Sequence, residues 1–274
     1  MNRFAAKYRN WTGTNTTFGN RMSVFISHEL KRIIKSKWSI LVLILTYALI
    51  VMPRIFQAMT PMMGFNSTFY FSMYDEMFLF IILYAAVVGS GIIASDFKDR
   101  SIVLYLTKGY SRKAYILGKF TILFLAFSLI TILPLVIIYS IALISSDLSL
   151  SLLRENLWIL GAGLAMGTFI TVFLSTLTAG LSSLLGDRRY TGASLFAISV
   201  LSGIVADVLF SINGNDMMWM ASIMDNFSMV GSYLFRLDSA YSYTRAYPFL
   251  IILGISVSMS YMVYHYIFRK ELRT

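Results

Sequence analysis

The 274 residues contain two histidines, His28 and His265, and no cysteine. The two imidazoles stand apart from each other and from any carboxylate at ligand spacing, so no metal site is expected. The missing thiols remove disulfides, thiolate nucleophiles and sulfur-ligated metals from consideration. GAGLAMG at 161–167 has the wrong spacing for a dinucleotide fingerprint and follows no strand, while G-x-x-x-x-G-K-[ST] and H-E-x-x-H do not occur. An ionisable group in an apolar run is a functional candidate by default, but Asp207 falls toward one end of its run, where reach to the head groups accounts for it. No chain of acids, bases or histidines marks a proton relay. The chemistry that remains is recognition. Residues 96–119, DFKDRSIVLYLTKGYSRKAYILGK, carry Lys98, Arg100, Lys108, Arg112, Lys113 and Lys119 against Asp96 and Asp99. Ile102, Leu104, Leu106, Tyr110, Tyr115 and Ile116 are interspersed among them. Such a segment, folded as short helices, fits a groove on a soluble partner, with Tyr and Leu as anchors and Arg and Lys at the rim.

The elements that must position this segment are membrane spans. Hydrophobic residues make up 57% of the chain and charged ones 13%, against about 25% charged in soluble domains; the mean hydropathy is +0.71. One membrane domain is expected, since no polar stretch approaches the roughly 100 residues of a soluble domain. The net charge of +10 sits at the ends of apolar runs, which is a topology signal and not a groove for nucleic acid.

Residues 1–22 lack the apolar core of a cleavable signal peptide and read as a basic tail. Over 23–38, Ile26, Leu30, Ile33, Ile34 and Trp38 share one helical stripe, with His28, Lys31, Arg32 and Lys35 opposite. That pattern predicts an amphipathic helix in the interface, its cations toward anionic lipid. Six apolar runs follow, at 38–56, 77–95, 120–144, 157–185, 191–212 and 247–268, each near the roughly 20 residues a bilayer requires. The fourth is long enough to tilt or project. Pro134 should kink the third, with neighbours re-satisfying the freed carbonyl. Alternating sides along these runs puts 19 of the 23 Lys/Arg on the face that holds both termini, so both ends are expected to be cytoplasmic. Ala85 with Gly89, and Gly163 with Gly167, form small-xxx-small pairs suited to close helix approach. Between the last two runs, MMWMASIM (217–224) and MVGSYLF (229–235) flank the polar break DNFS (225–228). Both pieces are too short to span and too apolar for water, so short helices dipping back from the outer face are expected. Asn66 and Asn226 begin outer-side sequons.

This arrangement resembles the membrane subunits of ABC-2-type (type V ABC) exporters, over nearly the whole chain beyond residue 22. That family has an amphipathic elbow helix, six spans, a long helical loop after the second and re-entrant helices before the last. The most specific likeness runs from Gly89 to Lys119. The family's acid, small polar pair, apolar patch, turn, Arg and closing Gly-Lys are matched by Asp96, Arg100-Ser101, Val103–Leu106, Lys108-Gly109, Ser111-Arg112 and Gly118-Lys119. Asp replaces the commoner Glu, Ser101 the commoner Thr, and Gly109 stands where Pro is frequent. The resemblance implies a permease subunit without catalytic residues or a cofactor of its own. ATP and Mg would be bound by a separate ATPase subunit contacted through Asp96, Arg100, Tyr105, Lys108, Tyr110, Arg112 and Lys113. A second, smaller contact would come from Asp187, Arg188 and Arg189 of the GDRRY loop. It further implies a second permease subunit, identical or not, in the plasma membrane of a prokaryote. An ion-coupled carrier or channel would need buried ionisable groups or an internal repeat. An intramembrane enzyme would need clustered Asp, Glu or His at depth. A non-transporting anchor subunit would share every feature above.

Overall fold

The computed structural model describes residues 18–60, 64–99, 101, 111–146, 150–238 and 246–270. Among these the chain is all-helical without strands. Six stretches are long and apolar enough to cross a membrane: Lys37–Ala58, Ser67–Lys98, Arg112–Ser145, Arg154–Leu185, Arg188–Asn213 and Ala246–Tyr266. The helices are α1 (Phe18–Ile34), α2 (Lys37–Thr46), α3 (Met52–Ala58), α4 (Ser67–Gly89), α5 (Ala94–Lys98) and α6 (Arg112–Thr131). They continue as α7 (Leu133–Ser145), α8 (Leu150–Leu185), α9 (Arg188–Asn213), α10 (Ile223–Leu234) and α11 (Ala246–Lys270).

Helix α8 is the axis. It touches α4, α5, α6, α7, α9, α10 and α11. Its 36 residues span about 54 Å, well beyond a hydrocarbon core of about 30 Å. Gly186 ends it at φ 65°, a left-handed turn open to glycine at no steric cost, and Asp187 caps α9 by accepting from the Arg189 N–H at 2.8 Å. Helix α4 starts at Ser67, ten residues earlier than its apolar run, because the Asn66 side chain accepts from the Thr68 N–H at 2.9 Å and caps it.

Two spans are irregular and support each other. In the first, α2 and α3 are joined by a π-helical turn, Tyr47–Val51, ahead of Pro53. In the third, Pro134 sits in the first turn of α7, just past the break at Ile132. Proline cannot donate a helix bond, and carbonyls near it need other partners. The Tyr47 hydroxyl donates to the Leu129 carbonyl at 2.8 Å, and the Tyr74 hydroxyl to those of Gly163 (2.8 Å) and Thr131 (3.2 Å). The kink expected at Pro134 is therefore patched by tyrosines from the first and second spans. Tyr47→Phe should cost about 1 kcal/mol, read as a lower midpoint of thermal unfolding in detergent.

The small residues of the second and fourth spans sit at close crossings. Ala85 is fully buried. A Cβ on Gly89 would lie 1.9 Å from Thr178 Cγ2, and one on Gly163 would lie 2.6 Å from Leu135 Cδ1. Gly167 faces the Tyr74 hydroxyl and the Thr131 carbonyl at the α6–α7 break. Gly89→Ala gains up to about 1 kcal/mol of helix propensity. Overpacking costs about 1–3 kcal/mol, and the clash is with a β-branched side chain next to the helix backbone. The clash should win, so the variant should unfold at lower temperature. Adding Thr178→Ala, which removes a buried hydroxyl without a partner among the described residues, should restore the midpoint.

Two expected boundaries are corrected. The amphipathic helix is Phe18–Ile34 rather than 23–38, and Trp38 is 66% exposed on α2. Nor is DNFS a break: after a 3-10 turn at Asp216–Ala221, α10 runs straight through it. Ser222 caps α10 by accepting from the Asp225 N–H, and Asn226 folds its amide back onto the Met220 and Ser222 carbonyls at 2.8 and 2.6 Å. Local bonds thus absorb the polar residues that read as a loop. Phe227 packs on Phe78, Phe169 and Phe173 with ring centroids 6.2, 5.8 and 5.1 Å away, which puts α10 beside the middle of α8. With Asn226 at 2% exposure, its sequon is closed to modification.

Candidate functional site

The site grows from three short patterns that meet at one end of the bundle. On α1, Phe25, Glu29 and Ile33 repeat every four residues and form its buried face, with Met22, Ile26 and Leu30 partly buried beside them. The stripe is therefore rotated from the one centred on Ile26 and Leu30, and it contains an acid. After α4, the chain turns into α5, whose first N–H groups have no local cap. Ser182 of α8 supplies the acceptor: its hydroxyl oxygen takes the Ile93 N–H at 3.2 Å and the Ala94 N–H at 2.9 Å. On α6, Ser111 caps the helix through the Ala114 N–H. Tyr115, Gly118 and Lys119 then fall on one buried face.

Gly118 lets α1 come close, since a Cβ there would stand 2.8 Å from Met22 Cε and 2.9 Å from Phe25 Cε1. Lys119 is fully buried, yet its ammonium is 2.7 Å from Asp96 Oδ2 and 3.4 Å from Glu29 Oε2. It also lies over the Phe25 and Tyr115 rings at 5.5 and 5.6 Å, a favourable cation–π setting. Asp96, 3% exposed, further accepts the Tyr115 hydroxyl at 2.6 Å and the Ser101 hydroxyl at 3.2 Å. Glu29, 2% exposed, accepts from Arg32 Nη2 at 2.8 Å. Two carboxylates thus meet one buried ammonium and one half-exposed guanidinium, so the charges balance. Paired, hydrogen-bonded charges are what a buried polar cluster requires. The cluster binds α1, α5 and α6 into one block. Both Asp96 oxygens and Glu29 Oε2 accept from protein donors, and no group of three metal-capable side chains occurs among the described residues.

This changes the part assigned to Asp96. Its side chain lies inside the protein, bonded to Lys119, Tyr115 and Ser101, and not on the surface. Lys113 is exposed and Arg112 half-buried, in the first turn of α6, so both belong to the helix that enters the third span. Arg100, Tyr105, Lys108 and Tyr110 lie outside the described residues. At the other candidate contact, Asp187 is spent as a cap while Arg188, Arg189 and Tyr190 are exposed. Arg188 turns back toward the bundle, its Nε 3.3 Å from the Ser90 hydroxyl. Asp207 is exposed on α9, on a side shared with Ile204 and Val208. Sequence reasoning missed Glu29 and named Lys119 only within the closing Gly-Lys step, not as a buried charge. The available signal was an acid at i+4 from Phe25 and i−4 from Ile33, opposite a Gly-Lys step.

No family model matches the chain, and no curated protein matches it either.

Proposed function

We propose that the chain is the permease subunit of an ATP-driven exporter of the ABC-2 type, worked by a separate ATPase subunit. The observation that carries this reading is the buried Glu29–Lys119–Asp96 cluster. It ties an amphipathic helix and two span ends into a rigid base from which residues 100–110 depart and return. A push on that segment would be delivered to the first three spans together, as rigid-body coupling needs. On this reading α1 is the elbow helix, the cluster's end of the bundle is cytoplasmic with both termini, and residues 96–119 form the coupling loop. Helix α10, packed beside the middle of α8, is the re-entrant helix on the outer side. The exposed apolar faces of α9 and α11 meet lipid and a second permease subunit, and the protein resides in a prokaryotic plasma membrane. ATP and Mg stay on the partner.

The test is purification from native membranes. A tagged chain should bring down a Walker-A protein in equal amounts, together with vanadate-sensitive ATP hydrolysis. Cargo movement by the chain alone, or repeated purification without a nucleotide hydrolase, would sink the reading.

A further inference from the structure

At the same end as the buried cluster, a crevice of ≈ 250 Å³ opens where α1, α2, α4, α5 and α9 converge. Arg32, Ser36, Ser39, Ser95 and Arg188 contribute its polar lining. Arg188 lies across the helix end at Gly91, whose absent Cβ would stand 3.2 Å from Arg188 Cδ. Its only hydrogen bond among the described residues uses Nε, to Ser90. Four guanidinium N–H donors are left over. Arg32 spends Nη2 on Glu29 and keeps its other donors. Ser36 is the N-cap of α2 but makes no side-chain cap bond, so the first N–H groups of that helix have no side-chain cap among the described residues. The nearby carboxylates are already engaged: Glu29 and Asp96 by Lys119, and Asp187 by the Arg189 N–H. Lys35 and Lys37, on either side of Ser36 in the chain, and Arg189, next to Arg188, are exposed.

The other half of the lining is aliphatic: Ile33, Val87, Val88 and Ile92. A free phosphate gains nothing from those walls, whereas the glycerol and upper acyl carbons behind a lipid phosphate do. We propose that this crevice binds the phosphate of an anionic glycerophospholipid. Arg188 and Arg32 would grip its oxygens from two sides, and the uncapped first turn of α2 would donate from below. A zwitterionic choline head group is disfavoured, because its ammonium would enter a site already lined by cations. The inference needs only a bilayer around the chain and is independent of whether an ATPase docks.

The experiment is native mass spectrometry of the full chain, delipidated in detergent and offered phosphatidylglycerol, phosphatidylcholine or inorganic phosphate. Phosphatidylglycerol should be retained in preference to phosphatidylcholine. Arg188→Gln should weaken its binding about tenfold, and Arg154→Gln, at the far end of α8 from Ser182, should barely change it. Ser36→Asp is the sharper variant. Aspartate is as good an N-cap as serine, so thermal stability should hold or rise while the added carboxylate repels the phosphate. If Ser36→Asp lowers stability, Arg188→Gln decides. Equal retention of the two lipids, or wild-type retention by Arg188→Gln, overturns the proposal. Retention of inorganic phosphate as strong as that of phosphatidylglycerol makes it a free-anion site and overturns the lipid assignment.

Discussion

Lys119→Met should be the most damaging single substitution at the base of the bundle, lowering stability by about 3–5 kcal/mol. The side chain has no exposed surface and is the common partner of two buried carboxylates, Asp96 and Glu29. Methionine fills the space but leaves Asp96 with only the hydroxyls of Tyr115 and Ser101. Glu29 would keep only half-exposed Arg32. An uncompensated buried charge is what makes breaking such a pair costly, far more than the pair's net worth. The measurement is the midpoint of thermal unfolding in detergent, with monodispersity as a second readout. Adding Asp96→Asn should recover part of the loss, because a neutral amide no longer requires an ammonium. A single variant as stable as the parent would show that the cluster is not bound as described.

If the chain works with an ATPase subunit as proposed, charge reversal at Arg112 and Lys113 should abolish partner-stimulated ATP turnover with the fold intact. Both residues stand in the first turn of α6, behind the Ser111 cap. Glutamates there complement the positive end of the helix dipole, so Arg112→Glu with Lys113→Glu should not weaken the helix. With an unchanged unfolding midpoint, a loss of turnover would report a lost contact and not a lost structure. Membrane insertion and the unfolding midpoint should stay at wild-type values, while co-purification with the ATPase falls. Unchanged turnover together with unchanged co-purification would count against the coupling role of this loop.

The spans were legible because a run of about 20 apolar residues with basic flanks is a compositional signal that neighbours barely disturb. The small-xxx-small spacings also pointed at real crossings, since Gly89 and Gly163 leave no room for a side chain. What could not be read was anything set by distant partners. Glu29 looked like one more polar residue on an interfacial helix, because the ammonium that permits its burial lies 90 residues away. Pro53 marks the π-helical turn at Tyr47, since it has no N–H for the Leu49 carbonyl, but the acceptor of the Tyr47 hydroxyl lies 82 residues on and leaves no local trace. The same limit explains α10. A polar tetrapeptide reads as a break unless one knows that Asn226 will bond inward and Phe227 will find three rings on α4 and α8.

The Ser182 hydroxyl has a consequence for how the protein is made. The turn into α5 completes its hydrogen bonds only with an oxygen that is translated 88 residues after Ala94. Until the fourth span has emerged and docked, the two amides at Ile93 and Ala94 must find water or stay open. The base of the bundle is therefore finished late in synthesis, after the ribosome has moved well past it. A nascent chain halted after the third span should exchange those two amides freely, while one halted only once Leu185 has cleared the ribosome should protect them.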